Sequence, residues 1–293
     1  MSAGQPASPT DQLAAWEVTA AGHLSRVARE IVRPSCGANG EGDHRWISPT
    51  QVHTAADDEA GAALHELFTG SFPGHGLVIE DRPAVVGDGE WQWFLDPIDG
   101  SANHLRGIPY VSLSAGLCRG GQPVLGVVHD LHGDRTLAAH AGGGAHCRSA
   151  DGRRARLRVA GTSALSDAML IAHLSRRGPL IGLPDALPRL LWNVRKIRCM
   201  GSIALDLALL AGGEADLLVV GRGTPQRMLD IVGGLVLLQE AGGAVMTARG
   251  DPVSAATRTL VAGPPALCRA FVELMADVDL EGWEQARARP PSG

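Results

Sequence analysis

Apolar positions recur at helical spacing in the first seventy residues, and later gather in short β-rich runs bounded by turn residues. In SPTDQLAAWEVTAAGHLSRVAREIV, residues Leu13, Leu24, Val27 and Ile31 form one stripe, with Ser8 placed as N-cap, Pro9 in the first turn and Asp11 closing a capping box. A first helix over about 8–32 is predicted. A glycine-rich loop is expected from there to about residue 50. TAADDEAGAALHELFTGSFPG then predicts a second helix, capped near Thr54 and stopped by Gly70 and Pro73. GLVIED and EWQWFLD read as two strands meeting at the turn GDGE, each ending in acid. VSLSAGLC, PVLGVVHD and RTLAAHA, split by glycine turns, predict an antiparallel meander.

From about residue 157 strands and helices alternate: LRVAG, a helix near PDALPRLLWNV, KIRCMG, a helix at SIALDLALLAGG, ADLLVVG, a helix at MLDIVGGLVLLQEAGG, and strands to about 262. A last helix, PALCRAFVELMADV, precedes a polar, proline-rich tail. Without internal repeats, this order predicts an α+β or layered α/β architecture.

Composition narrows the function classes. With 293 residues, 45% hydrophobic and 19% charged, the chain is long enough for a large core, and no apolar run approaches the roughly 20 residues that span a bilayer. MSAGQPASP has no basic stretch followed by an apolar one, so a cytoplasmic protein without membrane partners is expected. A net charge of -5 with no long basic block argues against nucleic acid. Five scattered cysteines without a C-x-x-C pair favour neither disulfides nor structural zinc. Lys196 is the only lysine and lies outside any glycine-rich loop, which leaves P-loop and Schiff-base chemistry without a residue.

The chemistry concentrates in acids at the ends of apolar runs. Glu80 and Asp81 close one run, Asp96 and Asp99 the next, and Asp230 opens a helix that is otherwise apolar. Buried carboxylates are costly unless paired or metal-bound, and hard divalent cations such as Mg²⁺ take carboxylate and carbonyl oxygens. In DPIDGSAN, Pro97 stiffens the turn, so that Asp96, the Ile98 carbonyl and Asp99 point to one side. Gly100 permits a close approach, and Ser101 starts a helical turn whose amides suit phosphate. A metal cluster beside such a nest is what phosphoryl-ester hydrolysis requires.

Taken together, "ED" at 80 and 81, "DPIDGSAN" at 96–103 and "LDIVGG" at 229–234 resemble the inositol monophosphatase family of Mg²⁺-dependent, lithium-sensitive phosphatases. TAADDEA around Asp57, FPGHGLVIED, GGGAHC and IRCMGSIALDLALLAGGEADLLV support it over about 10–275. The resemblance implies a layered α-β-α-β-α sandwich: a flexible 1–9, one phosphatase domain over 10–275 with a metal-binding α+β lobe to about 155 and an α/β lobe from 156, and a polar tail over 276–293. It implies that Glu80, Asp96 and the Ile98 carbonyl hold one Mg²⁺, that Asp96, Asp99 and Asp230 hold a second, and that a third ion binds near Glu80. Glu80 also contacts the water shell of the activating ion, and Asp57 and Ser101 help deprotonate the attacking water. Gly100, Ser101 and Ala102 cradle the phosphate, while Gly201 and Ser202 touch the hydroxyl-bearing side of the substrate. A homodimer and a small phosphorylated polyol, sugar or cyclitol follow from the same likeness. Within the class, 3′-phosphoadenosine 5′-phosphate and histidinol phosphate are alternative substrates; outside it, the alternative is a non-catalytic relative that binds a phosphorylated ligand.

Several positions depart from the family. Leu229 replaces a tryptophan, Asp81 a second glutamate, and the acidic residue that contacts substrate is missing near Gly223 in GRGTPQRM, where Arg222 and Arg227 stand instead. Their planar forks suit a second anionic group, as in a bisphosphate or nucleotide. Elsewhere HDLHGD (129–134) reads as a hairpin turn rather than a metal cluster, SLSAG as strand rather than nucleophile elbow, and Trp91 and Trp93 as packing residues. GRGTPQ and AGGGAH lack dinucleotide-binding spacing, and His140 and His146 read as satisfied histidines.

Overall fold

In the computed structural model, which describes residues 8–37, 44–48, 51–174, 185–221, 228–253, 257, 259–278 and 280, helix α1 (Pro9–Val27) starts at the predicted cap. Asp11 N donates to Ser8 Oγ at 3.2 Å, and Ser8 N donates back to Asp11 Oδ2 at 3.2 Å. The helix runs on as a π turn over Ala28–Val32. Helix α2 (Ala55–Ser71) opens on a second capping box, Thr54 with Asp57. Leu24 of α1 and Leu64 and Phe68 of α2 pack with Leu95, Leu113, Leu117 and Leu125 in one apolar layer.

Those last residues belong to a seven-stranded sheet of order β3-β4-β5-β6-β7-β8-β9. Its strands are β3 (Gly76–Ile79), β4 (Trp91–Asp99), β5 (Ser112–Arg119), β6 (Gln122–Asp130), β7 (Arg135–His140), β8 (Gly144–Ser149) and β9 (Arg154–Arg156). The meander from β5 to β7 is antiparallel, as the sequence implies. The first pair is not a hairpin: β3 and β4 run parallel, with Ile79 opposite Leu95. After β3 the chain doubles back, bridging Val85 antiparallel to Leu77, and can therefore enter β4 in the same direction as β3. This correction matters chemically, because only parallel strands put both acidic ends at one edge of the sheet. Glu80 N donates to Leu95 O at 3.3 Å, which seats Glu80 beside Asp96.

Other expectations change too. The presumed loop before residue 50 contains strand β1 (His44–Ser48), paired antiparallel with β2 (Gln51–Thr54). Trp46 and Ile47 there are exposed, so no buried alternation marks the strand. LRVAG forms no strand; Leu157 N bonds Ala145 O and Val159 N bonds Ala241 O as the chain crosses between layers. The strand of that region is β10 (Met169–Leu174), which the pattern reading passes over.

β10 lies in a five-stranded sheet of order β11-β10-β12-β14-β13, with β11 (Lys196–Arg198), β12 (Leu217–Gly221), β13 (Ala244–Met246) and β14 (Thr259–Gly263). Leu217 and Val219 face helices α4 (Ala186–Asn193) and α7 (Pro265–Leu274), while Leu218 and Val220 face α5 (Ile203–Ala211) and α6 (Met228–Glu240). Burial on both faces explains the unbroken apolar run. Val128 and Leu137 of the large sheet meet α5 and α6 from the other side, which completes an α-β-α-β-α sandwich.

The HDLHGD segment is a hairpin turn: Gly133 N donates to Asp130 Oδ1 at 2.9 Å, and Asp134 takes a φ of 46°. His140 pairs with Glu17 at 2.6 Å, and Trp93 packs on Phe68 at 5.0 Å between ring centroids. His129 is buried with Nδ1 2.9 Å from Thr136 Oγ1, and burial pushes it down to about 4 against the pull of Asp134. The unfolded chain takes up this proton near pH 6.5 and the folded chain only near 4. The stability His129 contributes is therefore present above pH 6.5 and lost as pH falls through 4, on the order of 3 kcal/mol. His129→Gln is expected to flatten the fall of unfolding free energy across that window in denaturant titrations; an unchanged slope would rule out this cause.

Candidate active site

Asp96 and Asp99 are three residues apart, and in a regular strand they would face opposite ways. Strand β4 avoids this with a bulge. Asp96 stands opposite Ser114 and Asp99 opposite Ser112, so three steps on β4 match two on β5. The extra residue restores the parity and turns both carboxylates to the face that Ser112 and Ser114 occupy. Pro97 is tolerated at a bulge because no ladder donor is needed there. Ile98 N donates to Asp96 Oδ1 at 3.1 Å and fixes that carboxylate.

Asp230 arrives on this face because α6 lies directly on the sheet. A Cβ on Gly116 would sit 2.2 Å from Val232 Cγ1, and one on Gly126 would sit 2.1 Å from Gly233 O. Glycines on both sides of the contact thus let backbone meet backbone. Ser114 Oγ, across from Asp96, reaches Leu229 O at 3.5 Å, next to Asp230. Asp96, Asp99 and Asp230 are 3%, 9% and 2% exposed.

Asp99 is held from the other lobe. Ser202 Oγ, at the N-cap of α5, donates to Asp99 Oδ2 at 2.8 Å, and Ala204 N donates to the same oxygen at 2.7 Å. Burial still pushes Asp99 up to about 7, with the charges of Asp230 and Asp206 adding to it against those two hydrogen bonds. A buried carboxylate pushed up in this way is matched to a divalent cation, which favours the ionised form. Among the described residues no three acidic, histidine or cysteine side chains converge on a common point, so the fit is one of ligand chemistry and placement.

Asp57 and Ser101 do meet. Asp57 Oδ2 accepts from Thr54 N and Oγ1 at 2.8 and 2.5 Å, which leaves Oδ1 to accept from Ser101 Oγ at 3.1 Å. Ser101 Oγ is also 2.9 Å from Ile98 O, the carbonyl assigned to the metal site. The capping box that starts α2 therefore also aims Asp57.

The two loops that the resemblance assigns to the substrate are in contact. Gly100, with φ of 100°, starts the short helix α3 (Ser101–Arg106), whose first amides, including those of Ser101 and Ala102, lack acceptors within the helix. A Cβ on Gly100 would lie 3.0 Å from Tyr110 O and 3.5 Å from Gly201 O. Asn103 Nδ2 donates to Tyr110 O and to Met200 O, each at 2.8 Å, and ties α3 to the Gly201–Ser202 loop. Asp81, at φ 57°, is held by His53 Nδ1 at 2.8 Å. Arg222 and Arg227 lie outside the described residues, as does Gly223.

The sequence reading missed several groups. Ser112 and Ser114 were signalled by small polar residues alternating along an apolar strand. Asp206, fully buried, was signalled by a lone acid within IALDLALLA. It accepts from Tyr110 OH at 2.5 Å and from His173 Nε2.

Buried carboxylates around a bulged strand end, beside a helix start and an aspartate-linked hydroxyl, fit a phosphoric monoester hydrolase of the layered α-β-α-β-α type. The sequence profile of the Inositol monophosphatase family matches residues 11–278. The chain belongs to that family. An inositol-1-monophosphatase of Mesorhizobium japonicum is 34% identical over 254 residues, 85% of this chain and 89% of its own. A fructose-1,6-bisphosphatase/inositol-1-monophosphatase of Aquifex aeolicus is 31% identical over 72% of this chain and 76% of its own. In fold, the chain matches the extragenic suppressor protein suhB of Bartonella henselae with a TM-score of 0.82 over 89% of this chain and 98% of that one, at 24% identity. It matches an inositol monophosphatase from Anabaena with a TM-score of 0.74 over 91% and 97%, at 26% identity. Among the described residues no helix is long and apolar enough to cross a membrane.

Proposed function

We propose that this chain hydrolyses the phosphomonoester of a small phosphorylated polyol, sugar or cyclitol with Mg²⁺. The observation that carries the reading is the Ser101 to Asp57 hydrogen bond at the end of the strand that bears Asp96 and Asp99. Glu80, Asp96, the Ile98 carbonyl, Asp99 and Asp230 would hold two or three ions. When bound, the ions lower the pKa of water and neutralise charge on the phosphate and the departing alkoxide.

The chain's own residues do the rest. Ser101 Oγ takes a proton from the attacking water as its own passes to Asp57 Oδ1, since a hydroxyl linked to a carboxylate can relay what it cannot hold. Amides of Gly100, Ser101 and Ala102 orient the phosphate for in-line attack, with no covalent enzyme intermediate. Gly201 and Ser202 border the alcohol side. In this reading the enzyme is a cytoplasmic homodimer that binds neither nucleic acid nor membrane.

A second reading, a bisphosphate substrate, is favoured by the name of the Aquifex aeolicus relative and by Arg222 and Arg227, which would receive the second phosphate. Phosphate release from inositol phosphates, fructose bisphosphate, 3′-phosphoadenosine 5′-phosphate and histidinol phosphate, with and without Mg²⁺, tests both. Mg²⁺-dependent release supports the proposal and ranks the substrates. No release from any ester would sink it and favour the non-catalytic alternative. Ser101→Ala is expected to lower kcat about 100-fold with KM little changed in steady-state assays, because only the proton path is removed.

A further inference from the structure

At the carboxyl edge of the five-stranded sheet, the sandwich places a histidine that the family motifs do not account for. β10 lies between β11 and β12 and runs parallel to both, so the carboxyl ends of the three strands share one edge. His173 is the penultimate residue of β10 and stands opposite Val220 of β12. In open α/β sheets, ligands bind outside such carboxyl ends. β11 leads directly into Gly201 and Ser202, and β12 ends at Gly221 just before the segment that connects to Asp230. His173 shares a strand face with Ile171, which packs with residues of α5 and α6, so its ring turns towards the central helices rather than to the outer layer.

There it meets Asp206. That carboxylate has no exposure and accepts from both His173 Nε2 and Tyr110 OH. Asp206 N donates to Ser202 O at 3.0 Å, and Ser202 Oγ holds Asp99. One turn of α5 therefore joins the histidine to the carboxylate cluster. Tyr110 completes the frame, since its carbonyl lies against Gly100 and accepts from Asn103. With Nε2 engaged by a buried carboxylate, the ring orientation is fixed and Nδ1 is the nitrogen left to reach a ligand. The side chain is 17% exposed, so one edge of the ring is open to solvent and to a ligand.

We propose that His173, oriented by Asp206, is a specificity-determining residue that hydrogen-bonds a hydroxyl on the alcohol portion of the substrate. The inference rests on the phosphatase reading. It assigns a polar group to the alcohol side of the substrate, for which the sequence lacks the acidic contact that the family resemblance implies. A hydroxyl suits this place because it can donate to neutral imidazole or accept from imidazolium. A histidine that served only to neutralise Asp206 would support the whole cleft and would not distinguish one ester from another.

The experiment compares inositol 1-phosphate, rich in hydroxyls, with p-nitrophenyl phosphate, which has none, in wild type, His173→Phe and His173→Gln. For His173→Phe, the ratio of kcat/KM for inositol 1-phosphate to that for p-nitrophenyl phosphate is expected to fall about tenfold, mostly through KM. His173→Gln, which keeps an amide for Asp206 and the cleft, should recover part of the ratio. If both esters lose activity by the same factor in both variants, the histidine is structural and the inference is overturned. If His173→Phe does not fold in thermal melts, the ratio in His173→Gln decides alone, an unchanged ratio counting against the proposal. A wild type that hydrolyses neither ester with Mg²⁺ would instead overturn the phosphatase reading, on which the inference depends.

Discussion

Replacing Asp96 by asparagine is expected to lower kcat/KM for the preferred phosphomonoester by about 10³-fold, some ~4 kcal/mol of transition-state stabilisation. The prediction separates charge from structure. Asp96 Oδ1 accepts from Ile98 N at 3.1 Å, and the asparagine carbonyl can still accept there, so the bulge in β4 survives. What disappears is one negative charge shared, in this reading, between two cation sites. A neutral amide costs less to bury than a carboxylate, so the metal-free variant should melt at or above the wild-type temperature. Calorimetric titration with Mg²⁺ should show weakened binding. Steady-state rates within tenfold of wild type, with Mg²⁺ affinity retained, would show that Asp96 is not a ligand.

The largest expected loss of stability is at Gly126. An added Cβ would lie 2.1 Å from the carbonyl oxygen of Gly233, a backbone atom in the middle of α6 that no rotamer change can move. Gly126→Ala must therefore push α6 off the sheet. The cost is about 3 kcal/mol, the upper end for overpacking, or a fall in Tm of roughly 6–10 °C. Activity should fall beyond what the unfolded fraction explains, since α6 carries Asp230. Gly22 provides the contrast. It lies within α1 with nothing within 4 Å of an added Cβ, and Gly22→Ala should be neutral or stabilise by about 0.5–1 kcal/mol. Equal melting temperatures for the two variants would refute the close contact as their cause.

Much of the fold was legible because local chemistry decides it. Ser8 with Asp11 and Thr54 with Asp57 announce two helix starts within three residues each. The meander follows from short β-rich runs split by glycine turns. The direction of β3 relative to β4 was not legible, because strand pairing depends on where Val85 doubles back, and the intervening residues fit a turn equally well. Strand β1 escaped because its apolar residues, Trp46 and Ile47, face solvent, so no buried alternation marks it. At the site, Asp96, Asp99 and Asp230 stood out by residue type and position and Ser101 by its place at a helix start, while Asp57 came only with the family resemblance. Tyr110, Asp206 and His173 come from three distant segments, and only the central helix layer joins them.

By itself, then, the sequence determined the helix caps, the strand order of the meander, the acids at strand ends and the family. Those features rest on interactions within a few residues or on motifs that a linear reading can match. Tertiary structure alone decided that β3 and β4 are parallel, that a bulge turns Asp96 and Asp99 to one face, and that glycines let α6 bring Asp230 down to them. Each of these depends on what lies across a sheet or under a helix, and side-chain direction and closest approach are set there by partners far away in the chain.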